Sequence, residues 1–282
     1  MKLLLVDFAN TLMRSLAVNQ QLSHNGVITG GFFGVVTQLA AKILAYEPTN
    51  IIFCRDKKPY LRANQYTEYK QDRIASERPE WWGALPVNNE MFLGLLRLAN
   101  IPVWTSVGWE ADDLIALLVQ QYKDDCDKIY ILSNDDDLYQ LLVFDNVTLL
   151  KNKETVNAEI FKKKYPGMDP SDWILYTAMT GTHNNISGIT RCGPKTALKT
   201  ILQLKKKITP ELIANNKELL NRNTKLIKLP YTDGVTQLTP PKELITVSKF
   251  PRDTVRYLYQ YGITMSQRMD EAFSRFNGFA KV

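Results

Sequence analysis

Trp109-Glu110-Ala111-Asp112-Asp113-Leu114-Ile115-Ala116 sets three carboxylates within four positions and then enters the apolar run Leu114 to Val119. Acids at the start of a helix are ordinary, because the positive end of the helix dipole stabilises each by roughly 0.3–1 kcal/mol. That explanation is sufficient for one or two of them. Three repel one another unless a cation lies between them. The stretch therefore poses a question to the rest of the chain: do other acids gather beside these and complete a cation site?

Working outward, short apolar runs lie on either side. Ile101-Pro102-Val103-Trp104 reads as a strand before the stretch. Lys128-Ile129-Tyr130-Ile131-Leu132-Ser133, rich in β-branched and aromatic residues, is a strand after it. It leads into Asn134-Asp135-Asp136-Asp137 and then Leu138 to Leu142, and Val147 to Leu150 is a further strand. Near the start, Leu3 to Val6 is a continuous apolar run, most simply a buried strand, and Asp7 ends it. Asn10 and Arg14 follow on a helix. A helix over 28–46 presents Phe32, Phe33, Val36, Leu39, Ile43 and Leu44, and a strand over Asn50 to Cys54 is followed by Asp56. An amphipathic helix over 86–99 carries Met91, Phe92, Leu95, Leu96 and Leu98. This alternation predicts an α/β fold, a mainly parallel central sheet flanked by helices.

In such a sheet ligands collect at the carboxyl ends of the strands. Asp7, Asp56 and the pair Asp135/Asp137 each follow a strand, and Glu110, Asp112 and Asp113 open the helix after another. The spacing of Asp135 and Asp137 places both on one face at a strand end. A single aspartate there can be a helix N-cap. Seven carboxylates on one edge need divalent ions, and oxygen-only donors without a suitable His or Cys point to Mg²⁺ or Mn²⁺.

Composition agrees with a folded protein: 282 residues, 45% hydrophobic and 23% charged. The three cysteines, Cys54, Cys126 and Cys192, have no CxxC spacing, which argues against a disulfide framework or a zinc site and fits a reducing compartment. Asp7 cuts the first apolar run too early for a signal peptide, and no segment approaches the ~20 apolar residues of a membrane span. The expectation is a cytoplasmic protein. A net charge of +6 beside so many aspartates is the pattern of a protein that grips a polyanion and also holds cations.

Two basic regions support this. Over 55–80, Arg55, Lys57, Lys58, Arg62, Lys70, Arg73 and Arg78 are interleaved with Tyr60, Tyr66 and Tyr69, which suits phosphate neutralisation with base stacking. For the charge run taken alone a solvated loop or helix face is the favoured account; the adjacent Trp81 and Trp82 are harder to account for if they contact nothing. From about 160 the chain is helical and basic. Ser171 to Thr180 reads as a helix, Gly181 to Ile189 as a loop, and Gly193-Pro194-Lys195-Thr196-Ala197-Leu198 starts another helix with free backbone N–H groups. Lys195 and Lys199 share one face of it. His183 alone reads as a polar loop residue. Residues 209–229 look helical, 230–248 irregular, and helices near 251–262 and 265–276 offer Tyr257, Leu258, Tyr259, Phe273 and Phe276 to a core.

Taken together these motifs resemble the structure-specific 5′-nuclease family, the flap endonucleases and 5′–3′ exonucleases, in order over about residues 2–202. Val6-Asp7-Phe8-Ala9-Asn10 is similar to its first metal motif. Arg55-Asp56 with Tyr66-Thr67-Glu68-Tyr69-Lys70-Gln71-Asp72-Arg73 is similar to its second aspartate and arch motif. Gly108-Trp109-Glu110-Ala111-Asp112-Asp113 is nearly its G-x-E-A-D-D, and Ser133 to Leu142 resembles its [ST]-x-D-x-D motif. Ile186-Ser187-Gly188-Ile189 through Ala197 is similar to its helix–three-turn–helix clamp. The length suggests a stand-alone member of phage or bacterial type.

The resemblance implies a PIN-like nuclease core over 1–160 with a helical arch at about 57–90. It implies a helical DNA-binding region over 161–282, with the clamp at about 171–204. Asp7, Asp56, Glu110, Asp112 and Asp135 would hold divalent ions, with Asp113 and Asp137 completing the shell. Lys70 and Arg73 would contact the scissile phosphate, and hydrolysis would leave a 5′-phosphate and a 3′-hydroxyl. Arg14, Lys57, Arg62, Tyr66, Tyr69, Lys195, Thr196 and Lys199 would meet DNA. Backbone carbonyls of Met179, Ser187, Ile189 and Cys192 would bind K⁺. The implied partner is DNA with 5′ flaps or ends, with RNA/DNA hybrids a further substrate, for a monomer acting at the nucleoid of a bacterial or phage-infected cell. One departure stands out: where the family's G-D-x-x-D-N loop carries two aspartates, this chain has Gly181 and Asn184. That leaves Asp113, Asp135 and Asp137 to hold a second ion. It also raises a rival, a structure-specific DNA-binding protein with weakened catalysis. The other rival, a PIN-like RNase, shares the acidic edge but is disfavoured by the clamp.

Overall fold

The computed structural model describes residues 1–71, 77–235, 238–241 and 252–275. Arg73 and Phe276 lie outside them. Leu3 to Val6 form the heart of β1 (Lys2–Asp7), which pairs in parallel with β4 (Asn50–Cys54) on one side and β6 (Lys128–Leu132) on the other. The sheet order is β5-β4-β1-β6-β7-β8, with β5 (Val103–Trp104) and β7 (Val147–Leu150) parallel and β8 (Thr155–Val156) antiparallel at the edge. Being central explains the unbroken apolar run: Leu3 and Leu5 face one core, Leu4 and Val6 the other, and all four are fully buried. Each such side chain contributes about 1.5–3 kcal/mol of burial. The small strands β2 (Ser23–His24) and β3 (Val27–Ile28) form a separate hairpin.

On one face, α1 (Phe8–Val18), α2 (Gly30–Tyr46) and α4 (Leu85–Leu98) pack over Leu4, Val6 and Phe53. On the other, α5 (Ala111–Tyr122) covers Leu3, Leu5, Ile129 and Ile131. Between β4 and α4 lie the short helix α3 (Leu61–Gln65) and a 3₁₀ turn at Glu80–Ala84. The expected strand at 101–104 is shorter, with Pro102 contributing only its carbonyl, which accepts from Phe53 N at 3.0 Å.

After α6 (Ala158–Lys164) come α7 (Trp173–Thr180) and α8 (Pro194–Lys205), which flank the loop anticipated as a clamp. The stretch 209–229 is broken into α9 (Glu211–Asn215) and α10 (Lys217–Ile227), and the chain goes on to α11 (Arg252–Gln260) and α12 (Gln267–Arg275). These late helices wrap both faces. Leu220, Leu226, Ile227 and Leu229 join the core under α5, while Leu258, Met269, Ala272 and Phe273 join the core under α2 and α4. Of the expected core residues, Tyr259 is instead 53% exposed. Its neighbour Tyr257 is the one that packs inward, donating to the Met91 carbonyl at 3.0 Å over the bare Cα of Gly94.

Candidate active site

The parallel sheet places Asp7 and Asp56 at the carboxyl ends of neighbouring strands. Asp7 ends β1 and N-caps α1, its Oδ1 accepting from Asn10 N at 3.0 Å and its Oδ2 from Ser133 Oγ at 3.0 Å. Asp56 follows β4 and accepts from Ala111 N, at the start of α5, at 2.6 Å. That meeting depends on Gly108. Its φ is +91°, and a Cβ there would stand 2.8 Å from Leu61, so the loop before α5 can lie flat on the chain after β4. Two backbone bonds seal the contact, Gly108 N to Lys57 O at 2.7 Å and Lys57 N to Trp109 O at 3.1 Å.

Asp135 and Asp137 are close, but not as alternate residues of a strand. β6 ends at Leu132, Asp135 caps a 3₁₀ turn over Asp136–Val143, and its Oδ1 accepts from Asp137 N at 2.9 Å. The intervening Asp136 turns outward to Lys151. Ser133 supports both sides of the site, because its Oγ also accepts from Asp135 N at 3.2 Å.

Electrostatics divide the acids into two sets. Burial, reinforced by Asp56 and Asp135, raises the Asp7 carboxyl to about 7. Burial and Asp135 raise Asp137 to about 7 as well. Asp112 goes well above the usual carboxylate range through burial and repulsion by Asp135 and Asp7, and no described residue donates a hydrogen bond to it. Asp56 is raised by burial, against the opposing pull of Lys70. These groups repel one another and have little cationic relief.

The second set is neutralised. Arg62, only 4% exposed, places NH1 2.8 Å from Glu110 and 2.6 Å from Asp113, and NH2 2.8 Å from the other Asp113 oxygen. Asp113 also accepts from Tyr231 N at 2.8 Å and from Glu110 N at 3.4 Å. Tyr69 donates to Glu110 at 2.9 Å, and Lys70 forms an ion pair with the same carboxylate. Burial would raise Glu110, but Lys70 and Arg62 outweigh it and hold the group below its ordinary value.

Three expectations are thereby corrected. Arg62 does not face DNA, because its guanidinium is buried in the ion-pair knot. Asp113 does not face the metal edge, because both its oxygens are taken by Arg62 and backbone N–H groups. Tyr69 is buried, so its ring offers no free face to a base. Tyr66 is half-buried with the Arg222 guanidinium 5.0 Å from its ring centroid. Arg14, Lys57, Lys195, Thr196 and Lys199 are exposed, the last three along the start of α8. In the clamp loop, the carbonyls of Met179, Ser187 and Ile189 accept from Ile189 N, Asn223 Nδ2 and Cys192 N at 2.8, 2.9 and 2.9 Å. The residues whose roles the sequence did not reveal are Ser133, Asn10 and Tyr60, the last donating to Asp56 at 3.3 Å. Ser133 and Asn10 both sit inside motifs of the resemblance, which was their legible signal; Tyr60 sits only in the basic and aromatic run. His183 Nε2 stands 3.9 Å from Asp135.

Among the described residues no three His, Cys, Asp or Glu groups are already arranged to hold an ion. The donor chemistry nevertheless fits one. Asp7, Asp56, Asp112, Asp135 and Asp137 offer only oxygens, and the raised carboxyls show charge that a hard divalent cation would balance.

A chain with an acid-lined carboxyl edge and an exposed, basic helix start has the features of an enzyme that works on a polyanion. The 5′–3′ exonuclease N-terminal, resolvase-like domain matches residues 2–166. The 5′–3′ exonuclease of Aquifex aeolicus is 31% identical over 245 residues, covering 82% of each chain. DNA polymerase I of Streptococcus pneumoniae is 30% identical over 213 residues, 72% of this chain and 24% of that one. The bacteriophage T5 flap endonuclease, solved with DNA and metal ions, superposes over all of both chains with a TM-score of 0.64 at 20% identity. The chain belongs to the 5′–3′ exonuclease family and is a nuclease.

Proposed function

We propose that this chain is a divalent-metal-dependent, structure-specific 5′-nuclease. It hydrolyses DNA phosphodiesters at 5′ flaps and 5′ ends during replication or repair. The observation that carries the reading is the set of mutually repelling carboxylates Asp7, Asp56, Asp112, Asp135 and Asp137 at one sheet edge. These residues would hold Mg²⁺ or Mn²⁺, with Glu110 behind them. When bound, a divalent ion supplies Lewis-acid polarisation of a phosphoryl oxygen and lowers the pKa of water.

This chain's own residues do the rest. Lys70 neighbours the cluster and is held there by its ion pair with Glu110; in this reading its ammonium also meets developing phosphate charge. Arg73, outside the described residues, is assigned the same role. Lys195, Thr196 and Lys199, with the α8 start, Arg14 and Lys57, grip the backbone without reading sequence. Tyr66 lines the arch. K⁺ would use the second lone pairs of the Met179, Ser187 and Ile189 carbonyls, together with the Cys192 carbonyl. The reading extends to RNA/DNA hybrids as substrate, a monomer, action in the cytoplasm, and a nuclease core over 1–160 joined to a DNA-binding region after it. Among the described residues no helix is long and apolar enough to cross a membrane.

The uncharged Gly181 and Asn184 favour a second reading, a DNA-binding protein with weakened catalysis. A 5′-labelled flap substrate separates the two. Cleavage with Mg²⁺ or Mn²⁺ and none in chelator is expected. Intact binding in Ca²⁺ with no cleavage in either metal would overturn the nuclease reading.

A further inference from the structure

Trp81 and Trp82 have no part in the site described above. Their rings are 5.6 Å apart at 44°, tilted rather than stacked on each other, and the Arg78 guanidinium lies 4.3 Å from the Trp82 centroid. Both indoles are only partly covered, and neither packs against the core of either sheet face. Gly83 beside them opens onto free space. Large apolar rings left in this condition mark a contact surface.

Their place in the fold narrows the contact. β4 and β5 are parallel neighbours, so α4 between them runs back toward the amino ends of the strands. Its beginning, and the 3₁₀ turn carrying the two tryptophans, therefore lies beyond the carboxyl edge, the edge that holds Asp7 and Asp56. The mount is fixed. Asn88, fully buried, donates to Ala84 O and Ile28 O at 2.8 Å each and accepts from Phe32 N at 2.8 Å. Glu77 and Glu80 flank the pair and are exposed, so this is no phosphate-gripping groove. What it offers is aromatic faces and one guanidinium plane, which suit bases and do not discriminate among them.

We propose that Trp81 and Trp82, backed by Arg78, form a stacking platform for unpaired bases of the 5′ single strand leaving the carboxylate edge. The proposal rests on the nuclease reading for its substrate, but its test does not require cutting.

The test measures binding in Ca²⁺ of two flap substrates with the same duplex, one with an oligo-dT flap and one with an abasic flap. Wild type should bind the dT flap about tenfold more tightly for one stacked base, with quenching of indole fluorescence. That ratio should change little with salt, because it comes from stacking and not from phosphate contacts. W81A/W82A should abolish the ratio while leaving binding to a flapless nicked duplex unchanged, and W81F/W82F should retain most of it. Equal binding of the two flaps by wild type, or an undiminished ratio in W81A/W82A, would overturn the platform. Cleavage without the base preference sinks the platform alone; base preference without cleavage sinks the nuclease reading alone.

Discussion

Asp112 and Asp113 are neighbours in the chain and opposites in the structure. Asp113 is buried against Arg62, with both oxygens satisfied, and helps to hold the start of α5 to Tyr231 and α3. Asp112 faces Asp7 and Asp135 and is repelled by both. One residue step along the helix separates their directions by about 100°, and that rotation buries one carboxylate against Arg62 and turns the other toward Asp7 and Asp135. Charge density along a sequence therefore does not tell ligand from strut; the difference lies in whether a cation of the protein itself has already been supplied.

Breaking each set should give different losses. Asp135→Ala removes a member of the uncompensated set. Cleavage should fall below about 1% of wild type, while flap binding in Ca²⁺ is kept. Normal cutting by this variant would mean the edge is not the site. Arg62→Ala strikes the compensated set, leaving Asp113 buried with backbone N–H donors but no cation, and Glu110 with Lys70 and Tyr69. A loss of about 3–5 kcal/mol of stability follows, read by denaturant unfolding. Arg62→Lys should recover only part, because an ammonium cannot reproduce the forked contact with Asp113. If Arg62→Ala were as stable as wild type, the knot would be no strut.

The two sets also respond oppositely to pH. Asp7 and Asp137 are raised from 3.8 to about 7 in the folded protein. The folded state then holds more protons than the unfolded state between those values, so their contribution is greatest below about pH 4 and is lost as pH rises through 7. Glu110 is lowered and works the other way, stabilising above its unfolded pKa and losing that contribution in acid. In chelator, the melting temperature should fall from about pH 5.5 to about pH 8, and millimolar Mg²⁺ should remove the fall. A flat profile without metal would mean the acids relieve their repulsion by other means.

Much of this division was beyond the sequence. The alternation of apolar runs with helical periods was enough for the parallel sheet, because β1 and β4 are buried on both faces and show no competing pattern. The acids at strand ends were legible for the same reason. Arg62 was not. In a run with Lys57, Lys58 and Lys70 it looks like any cation of a basic surface, and only the docking of Gly108 on Leu61 and the return of residues 226–231 bury it. Its partners lie 48 and 51 residues away, and Leu226 lies 164 away. Asp113 was misassigned for the same cause, since its partner could not be seen. The late helices α11 and α12 were legible as elements, with Leu258 and Phe273 as core residues, but not that the face they cover is the one built by α2 and α4.

The smallest effect concerns the two uncharged positions in the clamp loop, and the structure makes them unequal. Gly181 ends α7 at φ +83°, and a Cβ there would lie 2.8 Å from Gly188 N and 2.9 Å from Ile186 O. Those are backbone atoms of a loop that holds Met179 and Ile189 together, so they cannot give way easily. Gly181→Asp should therefore lose stability, by about 1–3 kcal/mol, and restore nothing. Asn184 is different. Its carbonyl accepts from Lys70 N at 3.1 Å, so it already touches the backbone of a residue beside the carboxylates. An acid of the same shape keeps that backbone contact. Asn184→Asp should lower the Mg²⁺ concentration needed for half-maximal cleavage by a few-fold, with little change at saturating metal. An unchanged Mg²⁺ titration would show that the missing carboxylate is not what limits the second ion, and that Asp135 and Asp137 are sufficient for it.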